Sequence, residues 1–208
     1  MYLLRLSLGV LFHPVDTFKL IKADRSNFSY IPAIILLLMV SVSRIVYIFT
    51  MHYPIASIDP ADASFFLEIA VILVPLITWV VASFGITSII EGESMMRETF
   101  TAATFCMMPF IITQIPLSFM SHIMTQNELD IFNMISSTIW IWVFILIFVS
   151  VKVMNSYTML QTTAVVFISL LGMLLTWAIC LLVYALTSQF WLFIVGLYKE
   201  LKFIILMN

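Results

Sequence analysis

Two charged residues lie inside long apolar stretches of the chain, and they are the residues most able to do chemistry there. Arg44 falls within one apolar stretch and Glu68 near the start of the next. A charged side chain in hydrocarbon is costly unless it finds a partner or reaches the interface. Counted along the two helices at 1.5 Å per residue, both side chains lie about 5 to 10 Å below the same predicted surface. We therefore predict that Arg44 and Glu68 form an intramembrane ion pair.

Three roles are open to these two residues. In the first, the pair is a functional site for an ion or a proton. In the second, it is a structural contact that fixes how two helices pack. In the third alternative, each side chain reaches the interface separately.

The residue patterns of catalytic and metal sites are missing elsewhere. Catalysis in the membrane needs paired carboxylates, a serine beside a base, or a metal cluster at one depth, and the sequence shows none of these. His52 and His122 fall in polar linkers that also carry acids, but without the spacing of metal ligands. The acids are Asp59, Asp62, Glu128 and Asp130. We predict no catalytic residue, no cofactor and no metal.

Composition indicates the broad class of the protein. Of the 208 residues, 63% are hydrophobic and 10% are charged, and the mean hydropathy is +1.15. This composition cannot cover a water-facing surface with polar side chains. The sequence therefore predicts an all-α integral membrane protein, a polytopic helix bundle that forms a single domain over 1–208. The net charge of −2 gives no basic surface for nucleic acid.

Apolar segments of roughly 20 residues, long enough to cross a hydrocarbon core, predict about five transmembrane helices. They are 30–51, 65–90, 100–120, 131–151 and 162–186. The segment 190–207 is interrupted by Lys199, Glu200 and Lys202, which predicts a separate interfacial or re-entrant helix. A sixth span is the alternative.

The N-terminal segment 1–27 has a different pattern. After Pro14, apolar and charged residues alternate at helical spacing, which predicts an amphipathic helix begun by a proline. Such a helix either lies along the membrane surface with its basic side chains near lipid headgroups, or packs against the protein's own cytoplasmic helix ends. Both alternatives are open.

A charged break at 91–98 separates the second and third predicted spans. It is too polar for hydrocarbon, so the flanking spans must be antiparallel helices that meet at a membrane surface. Glu91, Gly92, Glu93 and Arg97 form either a solvated turn or a contact site for a partner protein.

Three prolines lie within predicted spans. Pro75 falls in the second span, and Pro109 and Pro116 fall on nearly one face of the third. Because proline removes an amide donor, we predict that the third span is bent or locally unwound, with Thr113 or Gln114 able to bond the freed carbonyls. Such bending serves helix packing or, as in transporters, a binding site.

Basic residues predict the orientation. In the five-span arrangement most of them lie on one side, namely Arg5, Lys19, Lys22, Arg25, Arg97 and Lys152. The two linkers on the other side contain no Lys or Arg, and basic loops favour the cytoplasm. We predict a cytoplasmic N-terminus; Lys199 and Lys202 are the exceptions.

Several short motifs together resemble one family. They are Pro14 to Ile21 ahead of the first span, Trp79 in the second, the turn Glu91-Gly92-Glu93 followed by Arg97, Phe105 to Pro109 in the third, and Asn155-Ser156-Tyr157 before the fifth. This combination resembles the Yip1 domain family, especially its short bacterial members. The resemblance implies a cytoplasmic N-terminus, about five spans and a place in the bacterial cytoplasmic membrane.

The resemblance also limits the function that can be inferred. Eukaryotic members of the family act in vesicle trafficking by binding small GTPases and shaping membranes. This chain lacks their Asp-Leu-Tyr-Gly-Pro signature and their long cytoplasmic N-terminal region, so GTPase binding is not expected.

Two functions from different classes remain. The first is a non-enzymatic membrane scaffold or accessory protein whose partners are the lipid bilayer and other membrane proteins or further copies of itself. The second is a small transporter or channel that uses Arg44, Glu68 and the proline-bent third span.

Overall fold

The computed structural model describes residues 2–23, 30–52 and 64–207, and the fold is built from helices throughout these ranges. Five helical segments are long and apolar enough to cross a membrane, which confirms the predicted polytopic all-α bundle. The helices are α1 Tyr2–Phe12, α2 Pro14–Ala23, α3 Ile31–Thr50, α4 Phe65–Ile89, α5 Met96–Cys106, α6 Met108–Met120, α7 Leu129–Met154 and α8 Met159–Met207. A short 3₁₀ turn, Gln126–Glu128, precedes α7.

The two ends of the bundle differ in how their connections are built. At one end, which we call the turn end, α4 and α7 finish and α5 and α8 begin, through residues 90–95 and 155–158. At the opposite end, α3 and α6 finish and α4 and α7 begin. The antiparallel pair predicted around the charged break is present as α4 and the α5–α6 segment.

The third predicted span is interrupted where proline chemistry requires it. The α-helix stops at Cys106 and resumes at Met108, one residue before Pro109. Pro109 has no amide to donate to Phe105, and the Met107 amide bonds the Phe105 and Thr104 carbonyls instead. The Thr113 hydroxyl donates to the Pro109 carbonyl at 2.6 Å. The interruption therefore lies at Met107.

The other two prolines are accommodated without an interruption. Pro116 lies inside α6 and Pro75 inside α4. Beside Pro75, the Thr78 hydroxyl donates to the Val74 carbonyl at 2.8 Å and lies 3.1 Å from the Pro75 carbonyl. A hydroxyl that bonds helix carbonyls in this way satisfies acceptors near a proline.

The last helix differs from its prediction. No break separates 162–186 from 190–207, because α8 runs through 49 residues as one helix. The charged residues near Lys199 are no obstacle to helix formation, since Lys and Glu are good helix formers. A helix of this length measures roughly 74 Å, more than twice a hydrocarbon core of about 30 Å. Part of α8 therefore extends beyond the hydrocarbon core.

The N-terminal helices pack into the core. Leu6 and Val10 of α1 and Phe18 and Ile21 of α2 are buried in the same cluster as Phe105. Helix α2 packs against α7 and α5, and α1 contacts α5 and α6. The packing of this amphipathic segment against the bundle's own helices, one of the two predicted alternatives, is therefore observed. A smaller cluster of buried residues lies at the opposite end, namely Tyr47, Leu117, Phe132 and Ile139.

Candidate functional sites: a clamped turn and a membrane ion pair

The turn after α4 begins with a left-handed residue. Ile90 ends the helix, Glu91 has φ 54°, and the Gly92 amide donates to the Thr87 carbonyl at 2.7 Å. This six-residue return bond is the main bond of a Schellman ending, in which the left-handed position is usually glycine. Here glutamate occupies the left-handed position and the glycine follows it.

The turn after α7 repeats this geometry. Ser156 has φ 56°, and the Tyr157 amide donates to the Lys152 carbonyl at 3.0 Å. The Ser156 amide lies 3.4 Å from the Val153 carbonyl. Helices α4 and α7 therefore stop in the same way, with a non-glycine residue in the left-handed region.

The two turns pack directly against each other. A Cβ atom at Gly92 would lie 2.6 Å from Asn155 Oδ1, 2.6 Å from the Tyr157 hydroxyl and 2.9 Å from Thr87 Cβ. Asn155 Oδ1 also accepts a hydrogen bond from the Ser94 amide at 3.1 Å, and its Nδ2 donates to the Val151 carbonyl. Glycine is required at 92 because of this close approach.

Helix α2 adds a third element to the same place. Lys22 Nζ lies 2.6 Å from Glu93 Oε2 and donates to Ser156 Oγ at 2.6 Å. These contacts connect α2 to both turns across long separations in the sequence. We call the assembly of Lys22, Gly92, Glu93, Asn155 and Ser156 the turn platform.

Burial perturbs one ionisable group beside the platform. The pKa of the Tyr157 phenol is raised by burial. Its hydroxyl is one of the groups against which Gly92 packs. The phenol therefore stays neutral over the physiological range and acts there as a packing and hydrogen-bonding group.

The structure divides the predicted contact turn into residues with different surroundings. Glu93 is paired within the chain and Gly92 lies against the second turn. The Glu91 side chain is exposed, and Arg97 lies partly exposed in the first turn of α5. Sequence reasoning did not identify Lys22 and Ser156 as members of this site, because their contacts with Glu93 join residues far apart in the chain.

Glu98 was also missed as an individual residue. It is buried in the first turn of α5, where its Oε2 accepts a hydrogen bond from the Met95 amide at 3.0 Å. A glutamate that reaches back to the amide three residues earlier is half of a capping box. The sequence did not show the full signal, since the position three residues before Glu98 is Met95 and not the Ser or Thr of a capping box. The carboxylate stabilises the N-terminus of α5.

Arg44 and Glu68 lie side by side at the opposite end. Arg44 donates to Glu68 Oε2 from Nη2 at 2.9 Å and from Nε at 3.2 Å. The Arg44 guanidinium also lies 5.3 Å from the centre of the Tyr47 ring. The contact joins α3 to the first turn of α4, where a helix N-terminus favours a carboxylate. The two side chains thus satisfy each other's charge.

The histidines of the opposite end stack on each other. The rings of His52 and His122 have centroids 5.1 Å apart and an interplanar angle of 19°. The His52 amide donates to Ser121 Oγ at 3.0 Å. Among the residues that the structure describes, no group of three or more His, Cys, Asp or Glu could hold a metal ion. Asp59 and Asp62 lie outside the described residues.

Comparison with protein families identifies the chain. The Yip1 domain matches residues 8–181, which run from the second half of α1 to the middle of α8. No curated protein and no solved structure matches the chain. The matched range contains α2, the turn platform and the Arg44–Glu68 pair. Since the match covers most of its length, the chain belongs to the Yip1 domain family.

Proposed function

We propose that this membrane protein of the Yip1 type is a non-enzymatic scaffold or accessory protein that binds other membrane proteins through its turn end. The observation that carries the proposal is the Lys22–Glu93 contact of 2.6 Å, which joins the N-terminal helices to the turn after α4. A surface held by such contacts before a partner arrives loses little conformational freedom on binding, which favours affinity.

The surface around the platform has the chemistry of a protein contact. Asp16, Lys19 and Glu91 are exposed charged side chains, and Met95 and Met96 are exposed apolar ones. Methionine is common on binding surfaces because its flexible, polarizable side chain adapts to different partners. We infer that these side chains face the cytoplasm, as the basic residues on this side of the membrane favour.

Site-specific photocrosslinking tests the proposal. A photoreactive amino acid at Met96 in cells that express the full chain should capture one recurrent membrane protein. Lys22→Met, which removes the charge and keeps the side-chain length, should reduce that capture several-fold. Lys19→Met is the matched control, because Lys19 lies on the same helix, is exposed, and lies 4.0 Å from Asp16 of that helix. Capture of lipid alone, or capture that Lys22→Met leaves unchanged, would contradict the proposal.

The orientation has its own test. In a chain with Cys106 and Cys180 replaced by alanine, a cysteine at Met96 should react with a membrane-impermeant maleimide only after the cells are opened. A cysteine at Gly92 is unsuitable because a Cβ atom there would clash with Asn155 and Tyr157. Labelling of Met96→Cys in intact cells would place the turn end outside and reject the cytoplasmic assignment.

The Arg44–Glu68 pair distinguishes this role from transport. If the contact is structural, Arg44→Leu should lower the free energy of unfolding by about 2 kcal/mol, because the Glu68 carboxylate is left without its partner in a poorly solvated place. Arg44→Leu with Glu68→Leu should recover most of that stability. If the double variant folds and loses every activity of the protein in cells, then an ion or proton site, and not a scaffold, is supported.

A further inference from the structure

An apolar cavity opens between α4 and α7 at the middle of the bundle. Its volume is about 250 Å³. Helices α5 and α8 each contact both α4 and α7 and so hold these two helices apart. The break at Met107 places a methionine side chain, rather than a continuous helix surface, on the cavity wall.

The cavity has a closed floor. Ile72, Leu76, Trp79, Met107 and Val143 line it and are between 2% and 6% exposed. Apart from the Trp79 indole N–H, the side chains of this floor are apolar, so water entering it would find few partners for its hydrogen bonds. Apolar cavities of about 150 Å³ stay dry and bind small hydrocarbons. This larger cavity therefore selects a hydrocarbon occupant.

The cavity also has an open side. Val71, Trp140, Phe144 and Leu170 line it while remaining between 36% and 64% exposed. They lie well inside their helices; Val71 is six residues into α4, which places it roughly 9 Å from the start of that helix. In a spanning bundle this depth is occupied by lipid chains and not by headgroups. The opening therefore faces the hydrocarbon of the bilayer.

We propose that this cavity binds one acyl chain of a phospholipid. One turn of an α-helix occupies roughly 400 Å³, from a diameter of about 10 Å and a pitch of 5.4 Å, so a helix of another protein does not fit. An unbranched chain is narrower than a methyl-branched isoprenoid and therefore enters more easily through an opening lined by Val71 and Leu170.

The energetic reason for binding is packing. A lipid chain that leaves the bilayer for an apolar wall gains nothing from the hydrophobic effect, because lipid tails are as apolar as leucine. It gains dispersion contacts with Trp79, Met107 and Val143, which have no partner atoms on the cavity side otherwise. The site stands independently of the scaffold role, since it involves a different surface.

Photolabelling with a lipid probe tests the site. The full-length protein is placed in vesicles that contain phosphatidylcholine with a diazirine in the middle of one acyl chain, and adducts are mapped by peptide mass spectrometry. We expect adducts on floor residues, including Leu76, Met107 and Val143, that are too buried to meet lipid from outside. Adducts restricted to exposed residues would overturn the proposal.

Two variants that narrow the opening make the test specific. Leu170→Phe and Val71→Phe should each reduce floor labelling at least about threefold. Leu174→Phe and Val74→Phe are the matched controls, because these residues are exposed on the same helices and lie outside the cavity lining. If one narrowing variant does not fold, the other still gives the answer. Floor labelling that folded narrowing variants do not reduce would overturn the proposal, and stronger labelling by an isoprenoid diazirine would overturn the choice of an acyl chain.

Discussion

The third span, α5–α6, and the last helix, α8, differ in opposite directions in how apolar and how buried they are. In the most apolar 18-residue window of the α5–α6 segment, 72% of the residues are buried. In the corresponding window of α8, 17% are buried. Yet α5–α6 is the least apolar of the five candidate spans and α8 the most apolar. In a lipid solvent, burial follows from the need to satisfy polar groups and to pack closely, whereas the most apolar helix is the one that tolerates lipid best.

The polar residues of α5 illustrate this. Thr101 and Thr104 are buried, and each hydroxyl donates to a carbonyl of the same helix at 2.8 Å. Such groups are costly in contact with lipid and inexpensive when neighbouring helices cover them. The least apolar span is thus also the most buried one.

Removing a large side chain from the centre should have the largest effect. Phe105 is 0% exposed in α5, and Phe105→Ala leaves a cavity that the surrounding helices fill only in part. We expect a loss on the order of 3 kcal/mol in the free energy of unfolding. The matched variant in α8 is Phe193→Ala, at a residue 63% exposed, which should change it by less than about 0.5 kcal/mol. Unfolding in mixed micelles, followed by circular dichroism, measures both; equal losses would contradict the contrast.

Substitution of Gly92, in the turn that precedes α5, should lower the free energy of unfolding by nearly as much. Gly92→Ala forces apart Asn155, Tyr157 and Thr87, so we expect a loss of about 2 kcal/mol, in the range of overpacked sites. Gly85→Ala is the control within α4, since a Cβ atom there meets nothing within 4 Å. It should be neutral or gain about 0.5 kcal/mol from the better helix propensity of alanine. The same unfolding assay applies, and a harmless Gly92→Ala would show that the two turns separate easily.

Substitution of Glu91, the residue before Gly92, should raise the stability of the protein rather than lower it. Glu91 holds φ 54°, a conformation that costs an L-residue about 1 kcal/mol, and its side chain is exposed. Glu91→Gly should therefore stabilise the protein by about 1 kcal/mol. Glu93→Gly is the comparison, because it removes the contact with Lys22 and should destabilise. Thermal denaturation monitored by size-exclusion chromatography separates the two, and destabilisation by Glu91→Gly would indicate a contact made by the glutamate side chain.

The smallest effect is expected where α8 touches the rest of the bundle. Trp177 Nε1 donates to Thr78 Oγ1 at 3.2 Å and joins α8 to α4. Trp177→Phe should cost about 0.6 kcal/mol, the average for hydrogen bonds between membrane helices. Trp191→Phe, at an exposed residue further along α8, should cost nothing measurable. A large loss in Trp177→Phe would mean that α8 contributes more to stability than its exposure suggests.

The helices were predictable to different degrees. The predicted spans 30–51 and 65–90 agree with α3 and α4 within one residue at each end, because uninterrupted apolar runs bounded by polar linkers leave few alternatives. The separate helix predicted for 190–207 was wrong, because α8 continues through the charged residues near Lys199. Charge changes where a helix can sit relative to a membrane but does not stop its backbone hydrogen bonds.

The two candidate sites also differed in how far they could be predicted from the sequence. The Arg44–Glu68 contact could be anticipated, since two opposite charges at one depth on successive helices have little choice of partner. The Lys22 contact with Glu93 and Ser156 could not, because it depends on where the N-terminal helices pack. That packing is decided by apolar surfaces from α2, α5 and α7, which no local pattern encodes.

By itself, the sequence determined that the chain is a membrane protein, how many segments can cross the membrane, and where charged residues interrupt the apolar segments. It could do so because the free energy of transfer into hydrocarbon depends on each segment alone. Only the tertiary structure decided that the least apolar span is central, that glycine is required at 92 and that a cavity opens between α4 and α7. These features arise from the shapes of several helices in contact, and shape complementarity exists only once the helices have met.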